Sequence, residues 1–265
     1  MQYTYHCFDW DDNLMFMPTN IVIFHKDTHE EVIMTTGDFA LYRGFLGEYR
    51  KSVGQDKEFY VKKGFISEEK TKDVRNFKDY IYIGDDEHPS LNSFREFRDC
   101  ESEYFLQHLA LAVKNKDFGP EWNLFVKATQ NKDIAKNCYI ITARGHSAQT
   151  IYNGIKYLKE IGLIKNHIPR KNIFPVSHKK YKGSAATASG TKLKILKSVF
   201  TDANQQAKKE EKHHTVYFSD DDYKTFSLLK EKVTQYRTNT NYWMNIHIRL
   251  RFTGERKIKK KMVTL

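Results

Sequence analysis

The chain has 265 residues, of which 40% are hydrophobic and 29% charged, a composition typical of a soluble globular protein with one sizeable core. Because no apolar stretch approaches the length needed to cross a bilayer, we expect no membrane-spanning segment. The net charge is +11, and residues 249–265, which we call the basic tail, hold seven basic residues against one acid. Such a tail favours a phosphate-rich substrate or nucleic acid, with a solvated C-terminus as the alternative.

Two features of the sequence concern the compartment of the protein. The first dozen residues are polar and acidic, unlike the basic and then apolar start of a signal peptide. The cysteines Cys7, Cys100 and Cys138 lie far apart and are expected to be buried free thiols in a reducing compartment. Both features predict a cytoplasmic protein without a disulfide or a zinc site.

Short apolar runs that each stop at polar or acidic residues are predicted to be strands. They span residues 3–8, 138–141, 173–176 and 215–218. Helical stripes of apolar residues separate them at residues 151–161, 193–200 and 226–236. This alternation predicts an α/β, Rossmann-like parallel sheet flanked by helices, with the carboxyl ends of its strands at one crevice.

The first strand is followed by a segment that interrupts the alternation. Two β-prone runs, 21–24 and 32–35, predict a β-hairpin, and the apolar residues of 103–127 predict one core helix. Residues 244–252 alternate with a basic face, which predicts an edge strand. The expected organisation is an α/β core of residues 1–14 and 100–240, a flap and cap-like insertion of residues 15–99, and an edge strand with the basic tail in residues 241–265.

The acids at the first and last of these strand ends suit phosphoryl transfer, which needs a nucleophile, a proton donor and a cation. Asp9 is placed to attack phosphorus and form an aspartyl-phosphate. Asp11, two residues further on, is placed to protonate the leaving group and then to deprotonate water. Asp220 and Asp221, together with Asp9, offer the hard oxygen ligands that octahedral Mg²⁺ prefers.

The other strand ends and loops offer groups that bind a phosphate. Thr142 provides a hydroxyl, and Lys192, at the start of a helix, provides an ammonium group. Ala143 and Arg144 share the loop of Thr142 and are candidate substrate-binding residues. The alternative interpretation of Arg144 and His146 is that they are exposed loop residues. The alternatives to Lys192 are Lys179, Lys180 and Lys182, and the alternative to Asp221 is Asp222.

Four segments resemble, in their order, the motifs of the haloacid dehalogenase (HAD) superfamily. They are FDWDDN with Asp9 and Asp11, YIITARG with Thr142, GTKLKIL with Lys192, and VYFSDDD with Asp220 and Asp221. The resemblance implies a HAD-type fold and a Mg²⁺-dependent phosphatase with an aspartyl-phosphate intermediate. It also implies the main-chain carbonyl of Asp11 as a metal ligand. Asn13 departs from the pattern, which usually has Thr or Val at that position.

The resulting hypothesis is a Mg²⁺-dependent phosphomonoesterase acting on a small phosphorylated metabolite or nucleotide. One alternative is a phosphatase for nucleic-acid ends, similar to polynucleotide 3′-phosphatases, which the basic tail favours. The other is a catalytically idle binding protein built on the same scaffold. The oligomeric state is left open by the sequence.

Overall fold

The structure, a computed structural model, describes residues 3–37, 39, 43, 46, 79–84, 91–181, 183, 185, 187–240, 243–254 and 262–264. The chain divides into two compact units, one made of Met1–Met17 and Arg98–Leu265 and the other of Pro18–Phe97. No helix in the described part of the chain has the length and apolar character needed to cross a membrane.

The strands and α-helices of the described residues have the following bounds. The strands are β1 (Thr4–Phe8), β2 (Asn20–His25), β3 (Glu31–Thr35), β4 (Tyr80–Ile81), β5 (Cys138–Thr142), β6 (Ile173–Pro175), β7 (His214–Asp220), β8 (Ile246–Phe252) and β9 (Met262–Thr264). The helices are α1 (Tyr104–Asn115), α2 (Trp122–Gln130), α3 (Lys132–Ala135), α4 (Ala148–Glu160), α5 (Ala188–Lys209) and α6 (Tyr223–Thr240).

The larger unit is an α/β domain with a sheet in the order β6-β5-β1-β7-β8-β9. The strands from β6 to β8 are parallel, and β9 is antiparallel to β8. The predicted parallel, Rossmann-like sheet is therefore confirmed. The prediction that residues 244–252 form an edge strand is wrong, because β9 pairs along the outer side of β8. Residues 255–261 of the basic tail lie outside the described residues.

Helices cover both faces of this sheet, as parallel sheets require. Successive side chains of a strand point to opposite faces, so Phe8 and Cys7 enter different cores. Phe8 packs in a core with residues of α1, α2 and α4, whereas Cys7 packs in a second core with residues of α5 and α6. Cys7 and Cys138 are buried free thiols, but Cys100 is exposed, because it precedes α1 in a connection rather than adjoining a strand.

Residues 103–127, expected to be core helix, are helical and pack in the core, but they form two helices with a break between them. Helix α1 ends at Asn115, and the following residue, Lys116, adopts a left-handed conformation with φ of 60°. The connection to α2 then packs against the loop after β1, with the Gly119 N–H donating to the Leu14 carbonyl at 2.8 Å. A Cβ at Gly119 would lie 2.3 Å from the carbonyl oxygen of Asn13, so the approach is close enough to require glycine.

The smaller unit contains a three-stranded sheet in the order β3-β2-β4. Strands β2 and β3 pair antiparallel, with Ile21 opposite Met34 and Ile23 opposite Val32. The predicted β-hairpin is thus confirmed. Ile21, Ile23 and Met34 pack with Phe39 in a separate small core. The function of this unit as a flap or cap stays a prediction.

Candidate metal and phosphate site

The sheet order places the candidate residues on neighbouring strands. β1 lies between β5 and β7, and the chain adds strands to one side of β1 before it adds strands to the other. In open parallel sheets, such a reversal marks the crevice in which ligands bind, at the carboxyl ends of the strands. Asp9 directly follows β1, Thr142 ends β5 and Asp220 ends β7.

Three carboxylates meet at this edge of the sheet. Asp9, Asp220 and Asp221 each offer an oxygen, and these oxygens all lie within 4.8 Å of one another. Asp9 and Asp220 are buried, and the Oδ1 atom of Asp9 is buried without a hydrogen-bond partner. Hard carboxylate oxygens with one such unoccupied acceptor fit a divalent cation of the Mg²⁺ type.

Lys192 is the lysine that contacts these acids. Its Nζ atom lies 2.7 Å from Oδ2 of Asp220 and 3.1 Å from Oδ2 of Asp9. The side chain is buried near the start of α5, where Thr187 caps the helix by accepting from the Gly190 N–H. The alternatives Lys179 and Lys180 are exposed, and Lys182 lies outside the described residues.

The charges within this group do not balance. Burial raises the pKa of Asp9, and it raises the pKa of Asp220 to about 7, even though Lys192 acts in the opposite direction on both. The pKa of Asp221 is also raised, by loss of solvent and by the charges of Asp9 and Asp220. Burial disfavours the ammonium of Lys192, but the two carboxylates beside it outweigh burial and raise its pKa. Three carboxylates against one ammonium leave a charge of −2, which a divalent cation would neutralise.

Asp11 belongs to a separate ion pair. Arg144 donates from Nε to Oδ2 of Asp11 at 2.8 Å and from Nη2 to Oδ1 at 2.6 Å. The guanidinium is completely buried and lies 5.1 Å from the centre of the Phe105 ring. The interpretation of Arg144 and His146 as exposed loop residues is therefore wrong, because both are buried. The Asp11 carboxylate points to Arg144, and metal binding by its main-chain carbonyl stays a prediction.

Asp222 directly precedes α6 and bonds to its first turn, which removes it as the alternative to Asp221. Its Oδ1 accepts from the Lys224 N–H at 3.0 Å and its Oδ2 from the Thr225 hydroxyl at 3.2 Å. Its own N–H donates to Oδ1 of Asp220 at 2.9 Å. This is the bonding of a residue that caps a helix, and Asp221 is the second acid of the carboxylate group.

Thr142 and Ala143 occupy the neighbouring strand end. Thr142 is completely buried and lies two residues beyond Ile140, which pairs with Phe8 of β1. Its hydroxyl accepts from the Arg144 N–H at 3.4 Å. Contact of Thr142 or Ala143 with a phosphate stays a prediction.

Asn13 makes contacts that sequence reasoning did not find. Its side chain is completely buried, and Nδ2 donates to the Asp9 carbonyl and to the Ser219 hydroxyl, each at 3.0 Å. Its Oδ1 accepts from the Thr253 hydroxyl at 2.8 Å. The departure at position 13 was the only sequence signal, since Ser219 and Thr253 lie more than two hundred residues away along the chain.

Comparison of the chain with protein-family models, with curated proteins and with solved structures finds no match.

Proposed function

We propose that the protein is a Mg²⁺-dependent phosphomonoesterase of the HAD type, in which Asp9 forms an aspartyl-phosphate. The observation that carries this proposal is the meeting of Asp9, Asp220 and Asp221 beside a buried lysine at the carboxyl edge of a parallel sheet. Mg²⁺ held by these acids would offset the repulsion between a carboxylate and a phosphate. A cytoplasmic location and a small phosphorylated metabolite or nucleotide as substrate belong to the same proposal.

Asp9 has the environment of a nucleophile. Lys192 holds Oδ2 at 3.1 Å, and Oδ1 has no hydrogen-bond partner. An oxygen of Asp9 attacks phosphorus, an Asp9–phosphorus bond forms, and the bond from phosphorus to the leaving oxygen breaks. Water then attacks the aspartyl-phosphate, which releases inorganic phosphate and restores the carboxylate.

Asp11 is the proposed acid and base, and its pair with Arg144 sets a condition on this role. In the ion pair the Asp11 carboxylate accepts two charge-assisted hydrogen bonds from Arg144, so both of its oxygens are engaged. Before Asp11 can protonate the leaving oxygen, this pair has to loosen. A substrate phosphate that takes over the guanidinium of Arg144 would loosen it, which links substrate binding to protonation of Asp11.

The direct test is hydrolysis of an aryl phosphate by the full chain, with Asp9→Asn as the inactive variant. We expect turnover to need Mg²⁺ and Asp9→Asn to lower kcat about a thousandfold or more, as removal of a catalytic nucleophile does. The matched control is Asp12→Asn, because Asp12 carries the same charge nearby and its φ of 53° suits asparagine.

An acid-quenched reaction should show a phosphoryl group on the peptide that contains Asp9. Hydrolysis that proceeds without a divalent cation, or that survives Asp9→Asn, would contradict the proposal. Complete absence of turnover, with every phosphorylated substrate tested, would instead favour a catalytically idle binding protein.

A phosphatase for nucleic-acid ends is the second candidate, for which the basic tail is the sequence signal, and strand β8 places two arginines beside the strand that carries Asp220. Arg249 and Arg251 lie on one face of β8, and Phe252 at its end pairs with Asp220. Arg249 donates to the Tyr217 hydroxyl and Arg251 pairs with Glu121. If nucleic acid is the substrate, kcat/KM for a 3′-phosphorylated oligonucleotide should exceed that for the mononucleotide. It should also fall steeply with added salt. Equal values at all salt concentrations would exclude this candidate.

A further inference from the structure

Behind the acids lies a group of hydrogen-bonded residues that we call the Asn13 network. It consists of the side chains of Asn13, Ser219 and Thr253 and the main-chain carbonyl of Asp9. We infer that this network sets the spacing between Asp9 and the pair Asp220 and Asp221, and thereby the affinity of the site for a divalent cation. The inference rests on the proposed metal-dependent function and assigns it positioning residues.

The Asn13 amide uses all its hydrogen-bonding groups in one orientation. Nδ2 has two hydrogens, one for the Asp9 carbonyl and one shared by the hydroxyl and the more distant carbonyl of Ser219, and Oδ1 accepts from the Thr253 hydroxyl. The reverse orientation would place Oδ1 against the Asp9 carbonyl, which can only accept. The side chain is completely buried, so an unmet group there would be costly. The network therefore has one arrangement.

This arrangement joins three strand ends. Asn13 follows β1, Ser219 lies near the end of β7, and Thr253 follows β8. Main-chain bonds run between the same ends: the Asp9 N–H donates to the Ser219 carbonyl at 3.1 Å, and the Thr253 N–H donates to the Asp220 carbonyl at 3.0 Å. Ser219 directly precedes Asp220. A shift of the Asn13 amide would consequently move Asp9 on one side and the pair Asp220 and Asp221 on the other.

Gly254 lies against the main chain of Asp221. A Cβ built at Gly254 would lie 2.0 Å from the carbonyl oxygen of Asp221. Because that oxygen is main chain, it cannot move aside as a flexible side chain would. The two residues after β8 therefore contact the site at several points. Thr253 bonds to Asn13 and to the main chain of Asp220, and Gly254 lies against the main chain of Asp221.

The spacing of the acids matters because carboxylates that share a cation repel one another when it is absent. Mg²⁺ demands near-ideal octahedral geometry, so ligands that move apart lose affinity for it. Groups that orient metal ligands without touching the metal typically change metal affinity or activity by about 10- to 100-fold. The Asn13 network has the position of such groups, since it fixes the main chain that carries each acid.

The test compares Thr253→Val, which removes the hydroxyl but keeps the shape, with Thr253→Ser, which keeps the hydroxyl. Titration calorimetry of the full chain with Mg²⁺ alone gives the dissociation constant, and thermal melting without metal gives the stability. We expect Thr253→Val to weaken Mg²⁺ binding about tenfold and Thr253→Ser to leave it within about twofold of wild type. Saturating Mg²⁺ should restore most of kcat in Thr253→Val.

Gly254→Ala is the second variant, and it should also weaken Mg²⁺ binding because it displaces the main chain of Asp221. If Thr253→Val and Gly254→Ala melt at lower temperature but bind Mg²⁺ as wild type does, the network is only structural and the inference is overturned. Wild-type protein that binds no Mg²⁺ would overturn both proposals. Wild-type protein that binds Mg²⁺, loses affinity in Thr253→Val and hydrolyses no phosphate would refute the phosphatase function alone.

Discussion

The ion pair between Asp11 and Arg144 allows the proposed mechanism to be tested through both stability and catalysis. Three variants are needed: Asp11→Asn, Arg144→Met and the double variant. Both single changes keep much of the side-chain shape while removing one charge. The double variant removes both charges, so the four proteins form a thermodynamic cycle that isolates the interaction between the two residues.

The structure gives the expected size of the effect. Arg144 is 0% exposed and Asp11 is 17% exposed, and two short hydrogen bonds of 2.6 and 2.8 Å join them. Removing one member of a buried pair costs about 3–5 kcal/mol, because the other charge is left uncompensated. Since Asp11 retains some contact with water, we expect Asp11→Asn to cost about 3 kcal/mol, the lower end of that range. The double variant should cost less than the sum of the single variants by at least about 1.5 kcal/mol.

Urea denaturation of the metal-free proteins measures this coupling, and steady-state kinetics measures the catalytic role. A general acid contributes about 10²- to 10⁴-fold, and its contribution depends on how poor the leaving group is. Asp11→Asn should therefore reduce kcat much more for an alkyl phosphate than for an aryl phosphate with an acidic phenol. Arg144→Met should mainly raise KM, because Arg144 is the proposed partner of the phosphate.

Two results would refute this reasoning. Additive costs in the cycle would mean that the observed ion pair contributes nothing to stability. Equal losses of kcat for alkyl and aryl phosphates would mean that Asp11 does not protonate the leaving group, whatever its effect on stability.

Two further predictions concern buried charges. Lys192→Met should destabilise the metal-free protein by about 3 kcal/mol near pH 8, because three carboxylates lose their ammonium partner. Thermal melting with and without Mg²⁺ should show that the metal stabilises the variant more than it stabilises wild type. Equal stabilisation of the two proteins by Mg²⁺ would contradict this prediction. Burial lowers the pKa of His146 from 6.5 to about 3. As the pH falls below 6.5, His146 therefore binds a proton in the unfolded chain but not in the folded chain. The free energy of unfolding should therefore fall as the pH decreases. Measured by urea denaturation, it should differ between about pH 7.5 and about pH 5, and His146→Gln should make this difference about 2 kcal/mol smaller, because one pKa unit corresponds to about 1.4 kcal/mol. His247→Gln, at an exposed position, is the matched control.

The four strands β1, β5, β6 and β7 were predictable because a parallel sheet leaves strong local signals. Buried strands read as continuous apolar runs, and polar residues begin where each strand reaches the crevice. The break between α1 and α2 was missed because the apolar residues on its two sides were taken together, although Gly119 and Pro120 between them are a local signal for a break. Gly119 does break the helical pattern in the sequence, but its reason is the close approach of the Asn13 carbonyl, which is a non-local contact.

The difference between local signals and non-local contacts also separates the parts of the site that sequence reasoning located from those that it did not. Acids at the ends of adjacent parallel strands must lie near one another, so the meeting of Asp9 with Asp220 follows from topology. The direction of a loop side chain does not follow from topology. Arg144 and Asp11 are 133 positions apart, and nothing local distinguishes a buried arginine from an exposed one until its carboxylate partner is in place.

The two ion pairs divide the charges of the site in a way that bears on substrate binding. The pair of Asp11 and Arg144 is neutral by itself, whereas the group of three acids with Lys192 would carry −2 when all three acids are ionised. In the proposed mechanism a divalent cation would neutralise the second group, which removes the repulsion between its acids and a phosphate dianion. Arg144 would add a further positive charge for the phosphate once the substrate takes over its guanidinium from Asp11. In this proposal substrate binding would free Asp11 from the ion pair, so that Asp11 can take a proton from solvent and pass it to the leaving oxygen.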